Sequence, residues 1–181
     1  MPQVVAKFGT NPSTLDELGC VSSQNQAAKA FNVQLQAFCS KFKGQYPDAN
    51  VTHVDIFTIK LDLIANYSKY GECKLRNLYV ASSQFQLLNF CEYIFAGFKQ
   101  PIMACCGYGG PPFNFDSRVS CGLTKILNGT EITAKGCNDS SVYVNWDGTH
   151  YTEAANQHVA LQILTGNYSN TLLGDKTPFL L

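Results

Sequence analysis

Ala27, Ala28, Phe31, Leu35, Phe38 and Phe42 recur at spacings of three and four. That rhythm predicts an amphipathic helix over residues 22–42, with an apolar face suited to packing on a sheet. The nineteen residues before the cysteine at position 20 are broken up by Pro and Gly and read as loop. After a turn at Tyr46-Pro47-Asp48, residues 51–59 (VTHVDIFTI) are β-branched and aromatic and predict a buried strand. Val142-Tyr143-Val144 predicts the end of another strand. Thr152 then reads as a helix N-cap with Glu153 in the first turn, where the helix dipole favours a carboxylate. Ala154, Ala155, His158, Val159, Gln162 and Ile163 follow at helical spacing. Helix, turn and strand in this order fit an α/β layer architecture with a mainly parallel sheet. Residues 104–114 read as a Gly/Pro-rich loop, and residues 166–181 as a loosely held tail.

At 181 residues the chain can bury one sizeable core, so a single domain over 1–181 is expected. Thirteen basic residues balance thirteen acidic ones, leaving no net field to attract nucleic acid or an anionic membrane. No apolar run is long enough to predict an integral membrane segment. Eight cysteines accompany five glycosylation sequons, at Asn50, Asn66, Asn128, Asn138 and Asn167; Asn11 is excluded by the proline that follows it. Together they point to a secreted, oxidising setting. The opening MPQVVAKFGTNPST lacks the apolar core of a signal peptide, so the beginning of the domain is expected to be missing.

Candidate chemistry centres on Asp147 and His150. An acid three residues before a histidine, on a tight turn that leads into a helix, can hold the imidazole in one tautomer and raise its basicity. This is the arrangement of an orienting acid and a general base. His53, in the expected strand, reads as structural, and His158, two turns along the helix, as a surface residue; neither has an acid at that spacing. Adjacent Cys105-Cys106 have no second Cys/His pair at ligand spacing, so disulfides are favoured over a metal site. The pairing is not fixed by the sequence.

The block Trp146-Asp147-Gly148-Thr149-His150-Tyr151-Thr152-Glu153-Ala154-Ala155 resembles the last conserved block of the plant GDSL esterase/lipases, a branch of the SGNH hydrolases. Ala104-Cys105-Cys106-Gly107-Tyr108-Gly109-Gly110-Pro111-Pro112, followed by Asn114-Phe115-Asp116, resembles a second signature. Leu18-Gly19-Cys20 leading to Asn25, Ala28, Phe31-Asn32 and Leu35 is similar to a third. The resemblance implies a partial three-layer α/β/α, flavodoxin-like domain and ester hydrolysis by a Ser-His-Asp mechanism. His150 would be the base and Asp147 its partner, with no cofactor and a small-molecule, lipid or carbohydrate ester as substrate. It covers most of the chain outside residues 72–97, which read as an insertion of the kind an unremoved intron would encode.

The resembled family carries its serine in a Gly-Asp-Ser block and oxyanion donors in two further blocks. None is matched here. Gly174-Asp175-Lys176 is a near miss, and Gly136-Cys137-Asn138-Asp139 reproduces a Gly-x-Asn-Asp pattern only by letters, eight residues before Asp147. Ser120 is the least poor stand-in nucleophile, without a strained elbow around it. The sequence therefore predicts a C-terminal part of a secreted esterase with little or no activity of its own. The alternative is a non-catalytic secreted glycoprotein that binds carbohydrate or lipid.

Overall fold

The computed structural model describes residues 2–9, 11–70 and 97–170. The order is α1 (Pro2–Phe8), α2 (Ser22–Gln45), α3 (Ile56–Ala65), β1 (Gln100–Ala104), β2 (Thr124–Leu127), β3 (Thr130–Thr133), β4 (Tyr143–Asn145) and α4 (Glu153–Leu164). The fold is α/β. β1 and β4 form a parallel pair in which Gln100 faces Tyr143 and Ala104 faces Asn145, with an irregularity between those points. β2 and β3 form a separate antiparallel hairpin. No helix among the described residues is long and apolar enough to cross a membrane.

The core lies where α3 and α4 meet the β1–β4 pair. Ile59, Leu63, Phe98, Val144, Ala155 and Val159 form one buried cluster, and Ile59, Leu63, Phe98 and Val144 are at most 1% exposed. Burying each of these large side chains contributes about 1.5–3 kcal/mol. Ile59 and Leu63 stand four apart on α3, as do Ala155 and Val159 on α4, so each helix turns one stripe inward. Phe98 enters the cluster because its amide donates to the carbonyls of Tyr67 (3.0 Å) and Tyr70 (2.7 Å).

Four expectations need correction. The strand expected over 51–59 is absent as such: α3 begins at Ile56, and only Val54 makes a bridge, antiparallel to Ser169. Asp55 is the reason. Its carboxylate accepts the Thr58 amide at 2.9 Å and the Thr58 hydroxyl at 2.6 Å, capping a helix inside a β-branched run. The opening segment is also not all loop. Pro2, at the first helical position, opens α1, and Val5 is 2% exposed beneath it. His158 is buried at 8% exposure, its ring 4.3 Å from that of Tyr70, rather than at the surface. Desolvation holds the His158 pKa below the ordinary value, although the charge of Asp62 acts the other way.

The fourth correction concerns α2. The helix is present, but its apolar stripe does not pack on a sheet, and no residue of α2 is buried. The half-buried positions Asn25, Ala28, Asn32 and Cys39 turn toward the body instead. Asn25 donates to Asp16 at 2.9 Å, and the Lys29 ammonium lies 5.8 Å from the Phe57 ring. These contacts fix a roll that leaves Phe31 and Phe38 more than 60% exposed. At the other end, the start of the expected loose tail is tied down. The Asp55 amide donates to the Tyr168 carbonyl (2.8 Å) and the Asn170 amide to that of His53 (3.1 Å). Residues 171–181 and all but the last residue of the expected insertion at 72–97 lie outside the described residues.

Candidate active site

β4 delivers the chain into the turn that carries Asp147 and His150. Val144 and Asn145 are buried at its end, and the chain reverses at once: the Trp146 amide donates to the His150 carbonyl at 2.8 Å, and Asn145 bridges Tyr151. Inside the loop Gly148 adopts φ +96°, a region that favours glycine. A Cβ there would lie 2.2 Å from Cδ2 of Phe115, so the ring packs directly on the turn backbone. The Asn145 side chain accepts the Gly148 amide at 2.6 Å from below. From α1, the Gln3 amide donates to the Gly148 carbonyl at 3.1 Å, and the Thr149 hydroxyl donates to Gln3 Oε1 at 2.9 Å. Thr152 closes the unit, its hydroxyl donating to the Tyr143 carbonyl (2.6 Å) and accepting the Ala155 amide (3.2 Å) as the N-cap of α4.

Within this frame the carboxylate of Asp147 divides its work. Oδ1 accepts the amides of Thr149 (3.0 Å) and His150 (2.8 Å), and Oδ2 lies 2.8 Å from Nδ1 of His150. Partial burial opposes charging the carboxyl. The hydrogen bonds from the His150 amide and imidazole and from the Thr149 amide outweigh it and hold the pKa below the ordinary range. The His150 side chain is 73% exposed, and among the described residues no hydrogen bond engages Nε2. An anionic oxygen on Nδ1 fixes the tautomer with the proton on that nitrogen, leaving Nε2 as the proton acceptor.

A cleft of about 170 Å³ opens on the Asp147 side of the turn, lined among others by Gln3, Cys106, Phe115, Ser120, Asp147 and Thr149; His150 does not line it. Cys106 and Cys121, joined by a disulfide, both line it, and a second disulfide joins Cys105 to Cys137. The amides of Cys105 and Cys106 donate to the carbonyls of Asn145 (3.0 Å) and Trp146 (2.6 Å), so the bridged cysteines are seated on the start of the Asp147–His150 turn. Both adjacent cysteines are thus in disulfides, as the sequence favoured, in pairings the sequence left open. Cys20, buried, and Cys39 are free thiols.

Ser120 shares the cleft with Asp147, but no hydrogen bond joins it to His150. Asp139, from the Gly-x-Asn-Asp look-alike, caps a short 3-10 turn by accepting from the Ser141 amide at 3.0 Å, and its neighbour Cys137 is in a disulfide. His53 lies elsewhere, in a shallow depression with Gln36 and Asn167. Phe115, Asn145 and Gln3 were not among the site residues expected from sequence. Their roles arise from contacts across the fold, and only Gly148 in the turn gave a local hint that something packs closely there.

The sequence profile of the GDSL-like lipase/acylhydrolase family matches residues 1–163. The chain belongs to that family. It is 56% identical over 182 aligned positions to GDSL esterase/lipase At1g54790 of Arabidopsis thaliana, covering all of this chain and 44% of the relative. It is 53% identical to GDSL esterase/lipase At3g05180 of the same plant, over 94% of this chain and 38% of the relative. GDSL esterase/lipase ENOD8 of Medicago truncatula is 35% identical over 93% of this chain and 36% of its own length. This GDSL-family chain therefore spans less than half the length of the curated relatives it matches. No solved structure matches it significantly.

Proposed function

We propose that this chain carries the acid–base pair of a GDSL-type serine ester hydrolase, with His150 as general base and Asp147 as the acid that orients it. The observation that carries this reading is the 2.8 Å contact between Nδ1 and the carboxylate on an exposed imidazole. In ester hydrolysis the base takes the proton of a serine hydroxyl as that oxygen attacks the acyl carbon, then returns it to the departing alcohol. The charge of Asp147 stabilises the imidazolium formed between those steps.

The substrate class is an ester of a small molecule, lipid or carbohydrate. Since no Gly-Asp-Ser block occurs in the sequence, the 181-residue chain by itself has little or no turnover. A p-nitrophenyl acetate or butyrate assay with fluorophosphonate labelling tests this: no serine is labelled and no hydrolysis exceeds buffer. Fluorophosphonate-sensitive turnover by the chain alone would overturn the inactivity. Mixed with a polypeptide that supplies the serine block, the chain turns over ester, and His150→Ala lowers kcat by roughly a thousandfold or more. Turnover that survives this substitution would overturn the assignment of the base.

Secretion and glycosylation belong to the same proposal, supported by two disulfides and the placement of the sequons. Asn50, Asn128, Asn138 and Asn167 are exposed, while Asn66 is half-buried with its amide donating to Asp62 at 2.7 Å. Shifts on treatment with peptide N-glycosidase after expression in plant cells test each position by Asn→Gln substitution.

A further inference from the structure

Asp147 is followed by Gly148, and an aspartyl–glycyl pair is open to spontaneous isomerisation because glycine presents its nitrogen with no Cβ in the way. In that reaction the Gly148 amide nitrogen forms a bond to Cγ of the protonated Asp147 side chain. The carboxyl hydroxyl and the amide proton leave as water, and a five-membered succinimide results. Water then adds to one of its two carbonyls and opens the ring. Opening at the original main-chain carbonyl leaves the chain running through the former side chain, one methylene longer, as isoaspartate. The reaction needs no oxidant or reductant and leaves the mass unchanged. Its product would carry the carboxylate away from Nδ1 of His150, which it meets at 2.8 Å in this structure.

The turn withholds both reacting groups. The Gly148 N–H is committed to Oδ1 of Asn145 at 2.6 Å, and Asn145 is 1% exposed. The Gly148 carbonyl accepts the Gln3 amide at 3.1 Å. A Cβ on Gly148 would lie 2.2 Å from Cδ2 of Phe115, so the ring packs against the residue whose nitrogen would have to turn. On the other side, Oδ1 of Asp147 is held by the amides of Thr149 (3.0 Å) and His150 (2.8 Å), and Oδ2 by the imidazole. These bonds favour the carboxylate anion, which has no hydroxyl to expel. Of the groups that hold the turn, only the Asn145 side chain occupies the attacking N–H itself.

We propose that Asp147 is a latent isomerisation site and that Asn145 guards it, its buried side-chain oxygen keeping the Gly148 nitrogen from the Asp147 carboxyl carbon. Asn145 thereby preserves the pairing of Asp147 with His150 over the lifetime of the protein. The inference rests on the hydrogen bonds of the turn and not on the catalytic roles given to the pair.

The test is to age the 181-residue chain in mildly acidic buffer and count isoaspartate at position 147, by labelling with an isoaspartyl methyltransferase and peptide mass spectrometry. Isoaspartate is expected to accumulate there in chain held unfolded in urea with its disulfides reduced, and at least roughly tenfold more slowly in native chain, the factor one buried hydrogen bond supplies. Asn145→Leu, which keeps the bulk and removes the oxygen, restores a fast rate. Thr152→Ala loosens the same unit but leaves the Asn145–Gly148 bond in place, and its rate stays near wild type. Both variants are aged well below their melting temperatures. Hydrogen exchange on the wild-type chain needs no variant, and the Gly148 amide is expected to be protected. An unprotected Gly148 amide, equal rates in native and unfolded wild type, or no isoaspartate in the unfolded chain overturns the proposal. So does a rate unmoved by Asn145→Leu, or one raised as much by Thr152→Ala.

Discussion

Gly148→Ala tests how tightly the Asp147–His150 turn is held. Alanine at φ +96° carries a backbone cost of about 1–2 kcal/mol. The new methyl would lie 2.2 Å from Cδ2 and 2.6 Å from Cε2 of Phe115, well inside contact distance, so the ring or the turn must move. Overpacking of this kind costs about 1–3 kcal/mol. Together these give a loss of about 2–5 kcal/mol, or about 5–15 °C in Tm for a domain of this size. Trp146, the single tryptophan, adjoins the turn, so its fluorescence reports the local change while circular dichroism reports the global melt. Phe115→Ala in the same chain removes the obstacle but not the backbone cost. The double variant should therefore lose less than the two single variants combined, by about 1 kcal/mol or more. A Gly148→Ala chain that melts with wild type, or losses that simply add, would refute the packing of Phe115 on the turn.

Because hydrogen bonds depress the Asp147 pKa, its contribution to stability is present above the unfolded-state value of about 3.9 and is lost as pH falls through the folded-state value. Asp147→Asn should thus flatten the acid limb of a Tm–pH profile below about pH 4, and an unchanged limb would contradict the bonding described. Removing the Cys106–Cys121 bridge by a double Cys→Ala change, which opens a separation of 15 residues, should cost about 3 kcal/mol in chemical denaturation. Thr152→Ala deletes both the α4 N-cap and a hydrogen bond to the Tyr143 carbonyl, and should cost about 1–2 kcal/mol, read as a shift in urea midpoint.

The parts of the fold legible in the sequence are those with a local cause. Thr152 ahead of Glu153 and the apolar spacing of α4 announce a helix start, and Asp147 followed by His150 announces a turn, because caps and Asx bonds span only two or three residues. The existence of α2 was legible for the same reason, through its period. The roll of α2 was not, since periodicity gives a face but not the surface that meets it. Residues 51–59 misled because β-branched composition and a short helix share the same letters, and the deciding signal was the single carboxylate of Asp55 reaching Thr58. His158 was misplaced because its burial depends on Tyr70, 88 positions away by number and adjacent only in the fold. Of the site, the pairing of Asp147 with His150 was readable; the residues that hold the turn, Phe115, Asn145 and Gln3, are brought there by contacts across the fold.

The division of labour between grease and sulfur has a consequence for how the molecule comes apart. The buried cluster of Ile59, Leu63, Phe98, Val144, Ala155 and Val159 contains no cysteine, whereas the two disulfides among the described residues lie between positions 105 and 137. Mild reductant should therefore uncouple one cooperative unit from the other. Amide protons across 105–139 would exchange quickly and proteases would nick there, while those of α3 and α4 stay protected. The wall of the cleft would melt before the helices beneath it.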